Sequence, residues 1–78
     1  MDEDLARILA TGGTVASREI ARLYDLLAQH LPGDEALRLG LVSALAEIGS
    51  KVIQPAFDAH PGLQTEFEHR IEKYHAAT

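Results

Sequence analysis

The residues whose types and spacing could support chemistry lie near the C-terminal end of the chain. Glu66-x-x-His69 and Glu72-x-x-His75 repeat the spacing that places two ligands on one helix face in di-metal carboxylate bundles. In those bundles the ligands point into the core, whereas His69 lies on the opposite side of the predicted helix from its apolar stripe. The pattern therefore predicts a solvated charged face without a bound metal. A metal-dependent enzyme acting through Glu66 and His69 is one alternative.

Other patterns that could support catalysis or anion binding are incomplete. The chain has no cysteine and no Gly-x-Ser-x-Gly segment, and its remaining histidines, His30 and His60, flank predicted loops. A general base needs a positioned partner in a cleft, and small helices with narrow polar stripes offer little room for one. Gly12-Gly13-Thr14 precedes a predicted helix but lacks the spacing of a phosphate-binding loop. We expect neither an enzyme nor a cofactor site.

The segment Ser17–Leu23 has the pattern of the first helix of a helix-turn-helix DNA-binding motif. A tight glycine-containing turn and a polar recognition helix should follow it. Instead Tyr24–Ala28 continues the same helix, and the next predicted helix is too apolar to lie in a major groove. The net charge of −5 and the isoelectric point near 5.2 also argue against nucleic acid as a partner. A DNA-associated regulator with phosphate contacts from Arg18, Arg22 and Arg38 is the second alternative.

Length and composition restrict the class of protein. The 78 residues give room for a single domain, 1–78, and a domain this small buries only about 60% of the surface that its unfolded chain exposes. Without cysteine the chain cannot use disulfides, so oligomerisation is the natural source of added stability. No run reaches the roughly 18 apolar residues of a membrane span, and the acidic first residues lack the basic region of a signal peptide. We expect a cytoplasmic protein without a membrane segment.

Apolar residues recur at helical spacing along the chain, without an alternating strand pattern, and predict an all-α fold. We expect Gly12–Gly13 to end a short first helix and Thr14 or Ser17 to cap the second. Asp34 is expected to cap the third helix, and Pro61 to begin the fourth. The predicted architecture is a small antiparallel bundle of three main helices, at about 15–31, 34–58 and 62–76, with a short N-terminal helix at about 2–10.

The third predicted helix, called the central helix below, is apolar around nearly its whole circumference. Only a narrow stripe that includes Gly40, Ser43 and Glu47 is polar. Such a helix has to be covered on several sides. Pro55 cannot donate a hydrogen bond to the carbonyl of Lys51, and we expect the helix to kink there rather than end.

Arg38 interrupts the apolar surface near the start of the central helix. We expect its side chain to reach solvent past the helix end, with its aliphatic part lying along apolar neighbours. The alternative is an ion pair with Glu35 or Asp34 of a second subunit.

The apolar perimeter of the central helix is larger than so short a chain can cover. Monomeric proteins rarely expose contiguous apolar patches beyond a few hundred Å², and two-fold homodimers are the commonest solution. We therefore expect a non-enzymatic homodimer that works through protein–protein contacts, with a different protein partner as the alternative. The expected interface residues are Leu39, Val42, Leu45, Ala46, Val52, Ile53 and Phe57.

Overall fold

A single long helix, α1 (Glu3–His30), runs from one end of the molecule to the other. In the computed structural model, which describes residues 1–74, α1 is followed by α2 (Glu35–Ile48), a π-helical turn (Gly49–Ile53), α3 (Gln54–Ala59) and α4 (Pro61–Tyr74). The 28 residues of α1 extend about 42 Å at 1.5 Å per residue, which matches the longest dimension of the molecule, 43 Å. The described residues contain no strand, and the all-α prediction is confirmed.

The predicted break between a first helix at 2–10 and a second at 15–31 is wrong. Both segments belong to α1, which is continuous across the two glycines. Neither Thr14 nor Ser17 caps a helix. The Thr14 hydroxyl lies inside α1 and donates a hydrogen bond to the carbonyl of Ala10 at 2.7 Å.

Packing explains why Gly13 lies inside a helix rather than at its end. Gly13 is buried, and a Cβ atom built on it would lie 2.6 Å from Cγ1 of Ile53. Glycine inside a helix costs about 1 kcal/mol relative to alanine. Here the missing side chain lets the central helix approach α1 closely, and this contact offsets the weak helix propensity.

The turn of residues 31–34 joins α1 to α2 and is determined by two side chains. Pro32 disfavours helical geometry at Leu31, whose φ is −137° and ψ is 57°. Asp34 then caps α2 as predicted, since its carboxylate accepts a hydrogen bond from the N–H of Leu37 at 3.0 Å. Because the turn is short, α2 returns along α1, and α1 contacts α2, the π-helical turn and α3. The two long helices are therefore antiparallel, as predicted.

The central helix continues past Pro55, as predicted, by way of a π-helical turn. It consists of α2, the π-helical turn and α3, and the residues at both junctions keep helical dihedral angles. The N–H of Gln54 donates to the carbonyl of Gly49, five residues back. A wider turn before Pro55 accommodates a ring that cannot donate and that would crowd the carbonyl of Lys51 in a regular α-helix. The irregularity expected as a kink therefore takes the form of this turn.

The buried core lies at one end of the molecule, where α4 meets α1 near Ala6 and Ala10. As predicted, α4 begins at Pro61, whose fixed φ suits the first position of a helix. Phe67 packs edge-to-face on Phe57, with ring centroids 5.5 Å apart and planes at 68°. The predicted end of this helix, residues 75 and 76, lies outside the described residues. The buried cluster consists of Ala6, Ala10, Ala56, Leu63 and Phe67.

The molecule is elongated. Its dimensions are 43 × 26 × 13 Å, and α1 alone accounts for the longest of them. The Cα radius of gyration is 14.2 Å, above the roughly 11.5 Å expected for a compact domain of this length. The helices therefore enclose a small core at the end where α1, α3 and α4 meet, and α2 extends away from it. Within residues 1–74, no helix combines the length and the apolarity needed to cross a membrane.

Candidate functional site

The helix α2 is apolar around most of its circumference, yet none of its residues is fully buried. The accessible surface of the chain is 5228 Å², against about 4,700 Å² expected for a compact monomer of 8.5 kDa. The excess, roughly 500 Å², approaches the ~800 Å² that each partner contributes to a standard protein–protein interface. The chain thus exposes more surface than a compact monomer of its mass, and large apolar side chains such as Leu39 contribute to it.

One exposed side of α2, called the outer α2 face, is formed by Glu35, Arg38, Leu39, Val42 and Ala46. At about 100° per residue, these positions span roughly 100° of the helix circumference. Leu39 is 63% exposed and Val42 is 48% exposed, although both are large apolar side chains. The outer α2 face therefore combines an exposed apolar strip with one acidic and one basic residue.

The structure divides the predicted interface residues into two groups. Leu39, Val42 and Ala46 lie together on the outer α2 face. The other four are half-buried within the chain, namely Leu45, Val52, Ile53 and Phe57. Val52 and Ile53 lie close to Gly13 of α1, while Phe57 packs on Phe67. The interface itself stays a prediction, and its accessible part is the outer α2 face.

A second apolar surface, called the leucine groove, opens between the end of α1 and the start of α2. It encloses about 350 Å³ and is lined by Leu23, Leu26, Leu27, His30, Leu31, Leu37 and Leu41. On α2, Leu37 and Leu41 lie roughly 130° from the middle of the outer α2 face, so the groove is a separate surface. Sequence analysis did not identify the groove, because it forms only when α1 and α2 pair. The feature of the sequence that pointed to the groove was Leu26, which lies beside the apolar stripe of α1 and makes that stripe wider.

Arg38 is half-buried on the outer α2 face, so its predicted exit to solvent is only partial. Its Nε atom is buried and has no hydrogen-bond partner among the residues that the structure describes. A buried donor without an acceptor costs about 1–3 kcal/mol. The side chain of Glu35, on the same face, also makes no hydrogen bond or ion pair within residues 1–74. The outer α2 face thus carries the exposed carboxylate of Glu35 beside an arginine whose Nε is covered within the chain.

The Glu66 carboxylate, part of the candidate metal-binding spacing, is held by two guanidinium groups. Arg7 donates to it from Nε and from Nη2 at 3.4 Å each, and Arg70 donates from Nη2 at 3.2 Å. The hydrogen bonds and the charge of Glu66 raise the pKa of Arg7 above its ordinary value. His69 is exposed, and His75 lies outside the described residues. Among residues 1–74, no three or more His, Cys, Asp or Glu side chains are grouped to hold a metal ion.

The segment Ser17–Leu23, the candidate DNA-binding helix, lies in the middle of α1 and is not followed by a turn. Arg22 pairs with Glu19 one helical turn before it. This hydrogen bond lowers the pKa of Glu19 below its ordinary range, because it favours the ionised carboxylate. The described residues therefore contain no helix-turn-helix arrangement at this segment.

The structure also places the remaining candidate residues, namely the glycine segment of α1 and two histidines. Gly12-Gly13-Thr14 lies within α1, so no helix begins there to present free N–H groups to an anion. His60 lies between α3 and α4, and its Nε2 is 2.9 Å from the carbonyl oxygen of Met1. His30 lies at the end of α1, where it lines the leucine groove.

Comparison of the chain with protein families, with characterised proteins and with solved structures finds no match.

Proposed function

We propose that this chain is a small, non-enzymatic, cytoplasmic protein that acts through protein–protein contacts, as an adaptor, regulator or structural subunit. In this proposal two copies form a homodimer through the outer α2 face. The observation that carries the proposal is that α2, although apolar nearly all round, has no fully buried residue.

The apolar residues of the outer α2 face supply the driving force. Complete burial of a large apolar side chain contributes roughly 1.5–3 kcal/mol, and Leu39 and Val42 are about half exposed. Each therefore has about 1 kcal/mol to gain in a dimer, and a two-fold interface uses each residue twice. The small side chain of Ala46 supports the proposal because it allows a partner helix to approach closely.

The shape of the molecule supports the same proposal. A second copy packed on α2 would give this helix the buried core that it lacks within one chain. Chains of this size without disulfides commonly gain stability in this way.

The test is sedimentation velocity of the full chain at micromolar concentration, with Val42→Lys as the interface variant. We expect a dimer for the wild type and a shift to monomer for Val42→Lys, because lysine would bury a charge without a partner. Ile71→Lys is the matched control, since Ile71 is 50% exposed but lies on α4. Far-ultraviolet circular dichroism should show equal helicity for all three proteins.

Two outcomes would contradict the proposal. A well-folded wild-type monomer would exclude the homodimer, and a different protein partner would then have to cover α2. A dimer that Val42→Lys leaves intact would show that the outer α2 face is not the interface.

A further inference from the structure

We infer that a second face of the molecule, on the outer side of α1, pairs with the same face of another copy in an antiparallel orientation. This face, called the α1 seam, is formed by Leu5, Ile8, Gly12 and Val15. It lies on a different helix from the outer α2 face, so the inference goes beyond the proposed homodimer and does not rest on it. In the assembly that we infer, the α1 seam joins homodimers to one another.

The first observation is the spacing of the α1 seam, which is that of a coiled-coil interface. Its residues are separated by three, four and three positions, the pattern by which apolar side chains face a partner helix. Leu5 is 46% exposed, Ile8 67% and Val15 51%, although all three are large and apolar. The side of α1 that packs within the chain lies roughly 130° away around the helix. Its buried residues are Ala6, Ala10, Gly13 and Leu27.

The second observation is that the α1 seam fits a copy of itself in one register. A two-fold axis at the level of residue 10 places Ile8 level with the partner's Gly12, and Leu5 level with the partner's Val15. A Cβ atom built on Gly12 would meet nothing within 4 Å, so this position leaves room for the partner's isoleucine. The two helices then overlap over residues 3–17, about four turns, and the whole seam lies within the overlap.

The third observation is charge complementarity beside the α1 seam. Asp4 and Arg18 lie on the same side of it, and both are exposed. The antiparallel register brings Asp4 to within about 3 Å, measured along the helix axis, of the level of the partner's Arg18. Within its own chain the Asp4 carboxylate lies 3.9 Å from Nη1 of Arg7, and its side chain is 96% exposed. Two opposite-charge pairs therefore flank the seam and oppose the repulsion between copies of net charge −5.

The length of the α1 seam indicates weak association. Glu19 and Arg22 occupy the next positions of the same spacing and pair with each other, so the apolar part covers about two heptads. Coiled coils that are recognised by this spacing extend over about three to four heptads or more. We therefore expect a dissociation constant of about 100 µM or higher, which leaves the seam largely unpaired at micromolar concentration.

The test is sedimentation velocity of the full chain at several hundred micromolar. We expect the wild type to form species larger than the dimer. Ile8→Lys should weaken this step by about tenfold or more, since lysine would bury a charge without a partner. Ile71→Lys is the matched control, because Ile71 is 50% exposed but lies on α4. Val42→Lys, expected to be monomeric at micromolar concentration, should dimerise through the α1 seam at the higher concentration.

Crosslinking checks the orientation, since the chain has no cysteine of its own. Leu5→Cys and Val15→Cys are mixed at the higher concentration and treated with a short thiol crosslinker. We expect a mixed dimer, because the antiparallel register sets positions 5 and 15 level, whereas the two copies of position 5 lie about 15 Å apart along the axis. Crosslinking of Leu5→Cys to itself, without the mixed product, would contradict the antiparallel orientation.

Two results of the sedimentation experiment would overturn the inference. In one, the wild type forms nothing larger at several hundred micromolar than at micromolar concentration. In the other, Ile8→Lys associates as strongly as the wild type. Either result leaves the homodimer through the outer α2 face intact. Conversely, a dimer at micromolar concentration that Ile8→Lys dissociates and Val42→Lys does not would support the α1 seam and contradict the proposed α2 interface.

Discussion

At the scale of single residues, two adjacent glycines of α1 have opposite surroundings. A Cβ atom at Gly12 would meet nothing within 4 Å, whereas one at Gly13 would lie 2.6 Å from Cγ1 of Ile53. We expect Gly12→Ala to raise the free energy of unfolding by about 0.5–1 kcal/mol through helix propensity. Gly13→Ala should lower it by about 1 kcal/mol, because overpacking outweighs the same propensity gain. Urea denaturation of the two variants measures both changes.

Gly40 provides the control for this pair. It lies in α2 with open space around it, so Gly40→Ala should stabilise the protein much as Gly12→Ala does. Equal stabilisation by all three substitutions would show that α1 and the central helix do not approach closely at Gly13.

The Glu19–Arg22 pair of α1 gives a prediction for pH dependence. Arg22 lowers the pKa of Glu19 in the folded state, so the pair stabilises the fold above the ordinary pKa of glutamate. That contribution is lost as the pH falls through the lowered pKa. Arg22→Gln should return the pKa of Glu19 to its ordinary range, as measured by NMR titration of the side-chain carboxyl carbon. Lys51→Gln, which removes a cation paired with Glu47 instead, should leave the pKa of Glu19 where it is in the wild type.

At the scale of elements, the attachment of α4 depends mainly on Phe67. This side chain is buried against Phe57, and the guanidinium of Arg70 lies 5.3 Å from its ring centroid. We expect Phe67→Ala to lower the free energy of unfolding by about 3 kcal/mol, since it leaves a cavity in a small core. Ile71→Ala, on the exposed side of the same helix, should change it by less than about 0.5 kcal/mol.

Hydrogen exchange distinguishes loss of α4 from general instability. Phe67→Ala should reduce amide protection most strongly in α4 and in the segment of α1 that it covers. Unchanged protection in α4 would mean that the charged contacts of Glu66 with Arg7 and Arg70 hold this helix without the aromatic core.

The elements that sequence analysis predicted well are those that depend on local backbone chemistry. Pro32 ends α1, Asp34 caps α2 and Pro61 begins α4, because each acts on residues next to it in the chain. The continuity of α1 was missed, since the reason for Gly13 is a contact with Ile53, which is distant in sequence. Propensity alone cannot distinguish a glycine that ends a helix from one that permits close packing.

The candidate site shows the same division between local and tertiary information. The apolar pattern of α2 predicted an exposed perimeter, and Leu39 and Val42 are indeed exposed. The inward position of Ile53 could not be predicted, because it depends on how the central helix aligns with α1. The burial of the Arg38 Nε atom, which has no hydrogen-bond partner within residues 1–74, likewise could not be predicted from the helical pattern alone.

At the scale of the whole molecule, the buried core is small and lies away from α2. The fully buried cluster lies at one end, and α2, at the other, contributes no fully buried residue. A domain of this size is marginally stable even when compact. We therefore expect the stability of the α2 region, though not its helical fold, to depend on association of two copies.

This dependence predicts that the thermal midpoint of unfolding rises with protein concentration. For a dimer that unfolds to two chains, a tenfold rise in protein concentration stabilises the folded dimer by about 1.4 kcal/mol. With an unfolding entropy of about 2.1 cal/mol/K per residue, the midpoint should rise by roughly 4 °C. Differential scanning calorimetry measures it, and Val42→Lys should show a lower midpoint that is independent of concentration. A concentration-independent midpoint in a wild-type protein that sediments as a dimer would mean that each copy folds without the other. The outer α2 face would then join two stable subunits rather than complete their folding.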